Sequence, residues 1–419
     1  MTKIGYWELI TTNSKFRRLW SASVISMLGE WFNTIALFLL IFQYTNNEFL
    51  LGILFTVRML CFALLQPISG LLADRMNRKH IMVWSNIFQI FLALVFLAVD
   101  GPEDIPWMLG LSGIMMLLHG AYVTAERAAL PNIVSKENLA TANALDAASW
   151  STALCMGAML GGIVVEFYGT DAAFIIDAFT FLLGAILLAP LTIPQSFEED
   201  TPGPLFSTAF SNIRNGWRRI TKEARLLRIV FAKASWNIAG GGLAGVFIVV
   251  AGSDVDGFGV ALGFGLFFFA RGIGTGTGPI LARKFLTDQE KWPRLIGILV
   301  IISGFFYFFV GYTLGISVWL TVFLVMLAHS ASGANWVLST ILTQMWVEDE
   351  IRGRVFSIDM LIMSLAFSLS SACAGYLLEY EVFSLQNGFQ IFACIMMVSG
   401  LIFTLWKPSS RHAKPKELV

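Results

Sequence analysis

The sequence predicts an all-α polytopic membrane protein, with twelve transmembrane helices arranged as two six-helix pseudo-repeat bundles. Three observations lead there. Apolar runs of about eighteen residues or more, enough to cross a hydrocarbon layer of roughly 30 Å, recur from one end of the chain to the other. Only 13% of the 419 residues are charged and 56% are hydrophobic, with a mean hydropathy of +0.71; a soluble domain is roughly a quarter charged. The charges are also sorted. Of 28 Lys and Arg residues, 25 fall in the tails and in the loops after even-numbered spans. The loops after odd-numbered spans hold no Lys or Arg, only acids such as Glu48, Asp100, Glu103, Asp104, Asp254 and Asp256. Positive loops stay on the inner side of a membrane, so both termini are expected in the cytoplasm and the chain as multi-pass in the plasma (inner) membrane.

The N-terminal tail carries Lys3, Lys15, Arg17 and Arg18. No small-residue cleavage site closes an early apolar stretch of signal-peptide length, so the first span (19–43) reads as a retained signal anchor. Spans 50–72, 81–99, 107–124, 142–165 and 172–193 complete a first bundle, residues 1–193. A linker, 194–228, follows. Its Pro194, Pro202 and Pro204 with Glu198, Glu199 and Asp200 argue for an irregular acidic start. Then Phe206, Phe210, Ile213, Trp217 and Ile220 recur at three- and four-residue spacing, with Arg214, Arg218, Lys222 and Arg225 on another face. That pattern predicts a basic amphipathic helix on the cytoplasmic membrane surface, or a plain structural linker. Spans 229–251, 258–281, 295–314, 316–341, 355–378 and 389–406 form the second bundle (229–406), and 407–419 is a cytoplasmic tail.

The halves share an internal echo. At an offset of 213 residues Arg58 meets Arg271, Val134 meets Val347, Gly162 meets Gly375 and Glu166 meets Glu379. Parallel six-span repeats are the mark of a carrier with a central site between two halves.

Glu30 is the sharpest candidate. It lies about 16 Å into the first span, near mid-membrane, where a carboxyl is costly unless paired, hydrated or protonated. Arg58 on the neighbouring span sits at about 21 Å from the same face, one turn away, and a Glu30–Arg58 pair is expected. Such a pair is either a proton carrier or a static helix contact. Arg271 is the counterpart of Arg58, but alignment of Arg18 with Arg228 puts Gly240 opposite Glu30, so the second half lacks the acid. Arg271 then meets either an anionic substrate group or an acid from another helix. Asp177, a turn or two inside the outer face, lines an outward vestibule or serves as a cap or pairing partner. Phe32, Asn33, Trp236 and Asn237 are expected to line the cavity. Lys233 is expected to snorkel to the cytoplasmic surface, Asp146 and Asp359 to suit helix N-termini, and His119 and His329 to be hydrogen-bonded core residues. Cys61, Cys155, Cys373 and Cys394 fall inside apolar runs, which implies no disulfide framework and no metal site. No nucleotide-binding GxxxxGK[ST] stretch occurs, and no cofactor or nucleic-acid partner is expected.

Between the second and third spans runs Gly70-Leu71-Leu72-Ala73-Asp74-Arg75-Met76-Asn77-Arg78-Lys79, a charged hairpin that can lie only at a bilayer surface. It resembles the loop signature of the major facilitator superfamily, with Asn77 where a glycine is usual; asparagine also adopts the left-handed turn. The resemblance implies that Asp74, Arg75 and Arg78 latch the two halves, Asp74 against the start of the eleventh span beside Gly353-Arg354. Gly157-Ala158-Met159-Leu160-Gly161-Gly162 resembles the Gly-Pro-x-x-Gly-Gly element of superfamily antiporters, with Ala158 in the proline position, and close helix packing is expected there. The fourth-loop run from Arg127 through Pro131 to Val134, Ala142-Asn143-Ala144-Leu145, and Arg352-Gly353-Arg354-Val355-Phe356-Ser357 look like the branch of macrolide and enterobactin (siderophore) exporters.

The function expected is a secondary active transporter, not an enzyme. It would export an amphipathic drug-, macrolide- or siderophore-like molecule by alternating access, in proton-coupled antiport, as a monomer in the bilayer. The alternatives are a lysolipid or lipid flippase, a metal exporter, a non-transporting receptor on the same scaffold, and a polytopic lipid-modifying enzyme. An HExxH pair or an exposed catalytic cluster would favour the last.

Overall fold

The computed structural model describes residues 4–195, 204–286 and 288–406, and every regular element among them is a helix. A short amphipathic helix, Tyr6–Thr12, leads in. Asn13 then turns the chain, its side-chain oxygen accepting from the Phe16 amide at 2.9 Å and its amide donating to the Ile133 carbonyl at 3.0 Å. The membrane-length helices are Ser14–Tyr44, Glu48–Arg75, Arg78–Ala98, Pro102–Ile133, Lys136–Leu188, Ala224–Ser253, Val260–Phe285, Gln289–Thr313, Val318–Trp346, Ile351–Glu379 and Leu385–Leu405. The fifth of these is two spans. Its 53 residues are twice a bilayer crossing, and at Gly169 the backbone reverses with φ 82° and ψ 173°, a region that side-chain-bearing residues avoid. Twelve spans result among the described residues, matching the expected architecture. Several run well past the predicted ends, the fourth to Ile133 rather than residue 124. Hydropathy marks only the apolar stretch, whereas the helix continues into the polar zone.

The packing is lopsided. From mid-membrane to the face bearing the acidic loops, one apolar core unites both halves, joining Phe38, Leu54 and Phe55 to Phe247, Phe264 and Phe367. Toward the face bearing the basic loops that core splits. Leu19, Met82, Tyr122 and Leu188 cluster within the first half, and Ile229, Trp292, Leu338 and Phe403 within the second. The apolar core therefore joins the halves at the acidic-loop face and is divided between them at the other.

Two matched contacts make the closed end. Glu379, ending the eleventh span, accepts from the Glu48 amide at the start of the second span (2.9 Å). Glu166, ending the fifth, accepts from the Ala261 amide at the start of the eighth (3.2 Å). Both acids and both amides are related by the same 213-residue offset. The glycines below them obey it too. A Cβ on Gly375 would lie 2.4 Å from the Glu48 carbonyl oxygen, and one on Gly162 2.7 Å from that of Ala261. From the facing helices, a Cβ on Gly52 would lie 2.5 Å from the Ser371 carbonyl oxygen and one on Gly265 2.8 Å from that of Ala158. Only glycine permits backbones this close.

The linker helix, Leu205–Lys222, buries Ile220 against Val347, Val355 and Ile358 at the basic-loop ends of the tenth and eleventh spans, and also touches the end of the second span. It sits on the bundle, with Phe210 and Trp217 left exposed. Residues 196–203 and 407–419, which include Glu198, Glu199, Asp200 and Pro202, lie outside the described residues, as does the Phe206 side chain.

Candidate functional site

Glu30 and Arg58 come together at mid-membrane. Glu30 is about 24 Å along the first helix from Ser14, and Arg58 about 15 Å along the second from Glu48. The antiparallel spans place them at one depth, and Arg58 Nη2 lies 3.3 Å from Glu30 Oε1. The same nitrogen donates to Thr34 Oγ1 at 3.1 Å. Glu30 Oε2 lies 3.4 Å from His119 Nδ1 on the fourth span. Side-chain exposure is 8% for Arg58 and 21% for Glu30, so the arginine is sealed while the acid keeps an edge open.

Asp177 joins this group from the sixth span. The expected outward vestibule is absent at this residue: Asp177 is 0% exposed, and neither carboxyl oxygen has a hydrogen-bond partner among the described residues. It lies within electrostatic reach of both Glu30 and Arg58. Gly29 makes room for it, since a Cβ there would lie 2.7 Å from Asp177 Oδ1. Asn33 is also fully buried beside Asp177, with both amide atoms unpartnered. The cluster thus sets one guanidinium and one imidazole against two carboxylates in low dielectric.

The glycine run of the fifth span helps build it. A Cβ on Gly157 would lie 3.0 Å from Trp31 Cβ, and one on Gly161 3.1 Å from Phe32 Cα, so the fifth span presses on the residues that follow Glu30. Phe32 is consequently buried against that span. Trp236 and Asn237 are buried as well: Trp236 Nε1 donates to Ser303 Oγ at 2.8 Å and Asn237 Nδ2 to the Lys233 carbonyl at 2.8 Å. In this conformation all four expected lining residues are buried, and Trp236 and Asn237 border only a small recess of about 10 Å³ beside Lys233 and Trp336. A groove of about 720 Å³ lies on the flank of the second half between Ile238 and Ile402 and touches none of these charges.

Three residues escaped the sequence reading. Lys233 does not snorkel. Its Nζ donates to Asp359 Oδ2 at 2.5 Å, with both side chains 2% exposed, and stands 4.7 Å over the Trp336 ring. Asp359 is thus an ion-pair partner rather than a helix-terminal charge, and the signal was there: a lysine and an aspartate each lie inside an apolar run. His119 is the third, read as core but facing Glu30. His329 does take the expected part, bonding Tyr307 OH through Nε2 at 2.6 Å.

At the basic-loop face, Arg78 and Lys79 of the hairpin are tied to their own half. Arg78 donates from Nη1 to the Ala128 carbonyl (2.7 Å) and from Nε to that of Ala73 (3.0 Å), while Lys79 Nζ reaches the Ala189 carbonyl at 3.3 Å. Asp74 lies 3.7 Å from Arg78. Asn77 is not left-handed; at φ −64° it caps the third span, its side chain accepting from the Lys79 amide at 3.0 Å.

The family profile of the Major Facilitator Superfamily matches residues 19–330 and 290–418. The chain belongs to the major facilitator superfamily. It is thus a membrane transporter and not an enzyme. The MFS-type transporter YfiS of Bacillus subtilis is 24% identical over 418 residues, covering 93% of this chain and 92% of the relative. Macrolide efflux protein A of Streptococcus pyogenes is 22% identical over 197 residues, 46% of this chain and 47% of its own. Among solved structures, a bacterial homologue of the human lysosomal transporter Spinster, inward-facing and unoccupied, superposes with a TM-score of 0.69 at 16% identity, covering 93% of this chain and 94% of that one. At that identity the superfamily fold is what is shared.

Proposed function

We propose that this transporter exports an amphipathic small molecule by alternating access, driven by protons moving inward. The observation that supports this reading is the mid-membrane cluster of Glu30, Arg58, His119 and Asp177. Two carboxylates face one permanent cation in a largely buried site, so the charge balances when a proton or a protonated imidazole supplies the difference. A rocking motion that lengthens the 3.3 Å Glu30–Arg58 contact removes the carboxylate's partner and favours proton uptake. The basic-loop face, where the apolar core is divided between the halves, is cytoplasmic by the positive-inside rule. In this reading the protein works as a monomer, the Asp74–Arg78 hairpin latches that face when the other opens, and Asn33 serves the proton cluster rather than the substrate surface. The efflux proteins among its relatives support the direction of transport.

The test uses purified protein in liposomes containing a pH-sensitive dye, with macrolides, siderophores and lipophilic cations as candidate substrates. Wild type is expected to show substrate-dependent proton movement, lost in Glu30→Gln and weakened in Asp177→Asn. Substrate movement with no proton signal in any of the three proteins would overturn the coupling and point to a uniporter or flippase.

A further inference from the structure

The second half holds a cation that the first half's logic leaves unanswered. Arg271 is about 17 Å along the eighth span from Val260 and about 21 Å from its end at Phe285, at the middle of the bilayer. No carboxylate lies within 4.0 Å of it among the described residues. One hydrogen bond holds it, from Nη1 to the Ala244 carbonyl (2.8 Å) in the π-helical turn Gly242–Phe247. Its Nε is buried with no partner. The equivalent arginine of the first half, Arg58, has Glu30 at 3.3 Å and Asp177 nearby.

The surroundings of Arg271 suit an apolar ligand body. Its guanidinium lies 5.3 Å from the Phe268 ring, and Phe268 packs on Trp31, beside Glu30, at 5.3 Å between centroids, so the arginine stands at the seam between the halves. Tyr307 and His329 are within electrostatic reach, but they bond each other. A guanidinium keeps its charge and five donors, and an uncompensated one at mid-membrane is among the costliest groups a helix can carry.

We propose that Arg271 receives an anionic group of the transported molecule, so that the substrate class is an amphipathic anion: an aromatic or apolar body bearing a carboxylate, sulfonate or phosphate. This rests on the export reading above and narrows it. The substrate then supplies in the second half the negative charge that Glu30 supplies in the first. Two oxygens of a carboxylate, sulfonate or phosphate match the guanidinium fork in two parallel bonds, which explains an arginine here rather than a lysine.

The test compares 8-anilino-1-naphthalenesulfonate with N-phenyl-1-naphthylamine, fluorescent probes that share a body and differ by the sulfonate. Binding above that of empty nanodiscs is measured for wild type, Arg271→Gln and Arg271→Lys. Wild type is expected to bind the sulfonate at least about tenfold more tightly than the neutral probe, as one charge-assisted hydrogen bond implies. Arg271→Gln erases that preference, and Arg271→Lys keeps part of it. A sulfonate bound no more tightly than the neutral probe by wild type, or a preference that survives in Arg271→Gln, overturns the inference. Should the glutamine variant fail to fold, the wild-type ratio and the lysine variant decide. Transport of both probes from liposomes separates the two readings. Proton-coupled movement without anion preference sinks only this inference; anion preference in binding with no movement of either probe sinks only the export reading.

Discussion

At the acidic-loop face, Glu166 and Glu379 hold the Ala261 and Glu48 amides in the two halves, at 3.2 and 2.9 Å. Ten or so residues deeper the correspondence breaks. Arg58 has an acid at 3.3 Å, while Arg271, at the same rank in the other half, has a carbonyl and a phenyl face. The contrast is physical. Closing the end requires each half to pack on the other by the same backbone approach, so the glycines and capping acids must match. On the proposed function, a bound molecule and a transferred proton have no two-fold symmetry, so residues serving them gain nothing from matching.

The comparison can be broken first at the arginines. Arg58→Met leaves Glu30 and Asp177 buried without their cation and should destabilise by about 3–5 kcal/mol, whereas Arg271→Met removes an unmatched charge and should be near neutral or stabilising. Thermal unfolding in detergent, read by the difference in Tm between the two variants, checks this. Equal losses would mean that Arg271 has a structural partner after all.

A smaller effect is expected at the closed end. Gly375→Val and Gly162→Val each push a side chain into a carbonyl that stands 2.4 or 2.7 Å from the Cβ position. Either should loosen the seam and expose Cys155, which packs against Gly272 across the halves. Labelling of Cys155 by a membrane-impermeant maleimide, with the other cysteines replaced, should quicken several-fold and alike in both variants. A response in one variant alone would show that the matched contacts are not equivalent in energy.

The smallest expected effect belongs to the capping acids. Glu166→Gln and Glu379→Gln keep a hydrogen-bond acceptor but remove the charge at a helix N-terminus, a loss of about 0.3–1 kcal/mol each. The same labelling should show slight quickening in each and additive quickening together, since the two sites share no residue.

Much of this was legible in the chain. Depth made the Glu30–Arg58 contact an expectation, because the two spans are consecutive and antiparallel, and the fold turned the two side chains to face each other. The repeat was legible from Gly162, Gly375, Glu166 and Glu379, though not that these residues meet across the halves. For Asp177 the sequence left an outward vestibule, a cap and a pairing role open, and burial beside Arg58 favours the last. Lys233 was misread: a few residues of depth suggested snorkelling, but Asp359 on the eleventh span lies in the way.

By itself the sequence determined the helical class, the twelve crossings and the approximate rank of the charged residues along each span. A bilayer imposes a length on each span, and a helix converts residue count into depth at about 1.5 Å per residue. Only the tertiary structure decided which charges meet. Rotation about each helix axis is set by side-chain packing between spans far apart in the chain, so depth can be counted along a sequence and facing cannot. For that reason Arg58 and Arg271 are alike in sequence, yet one meets a carboxylate and the other a backbone carbonyl.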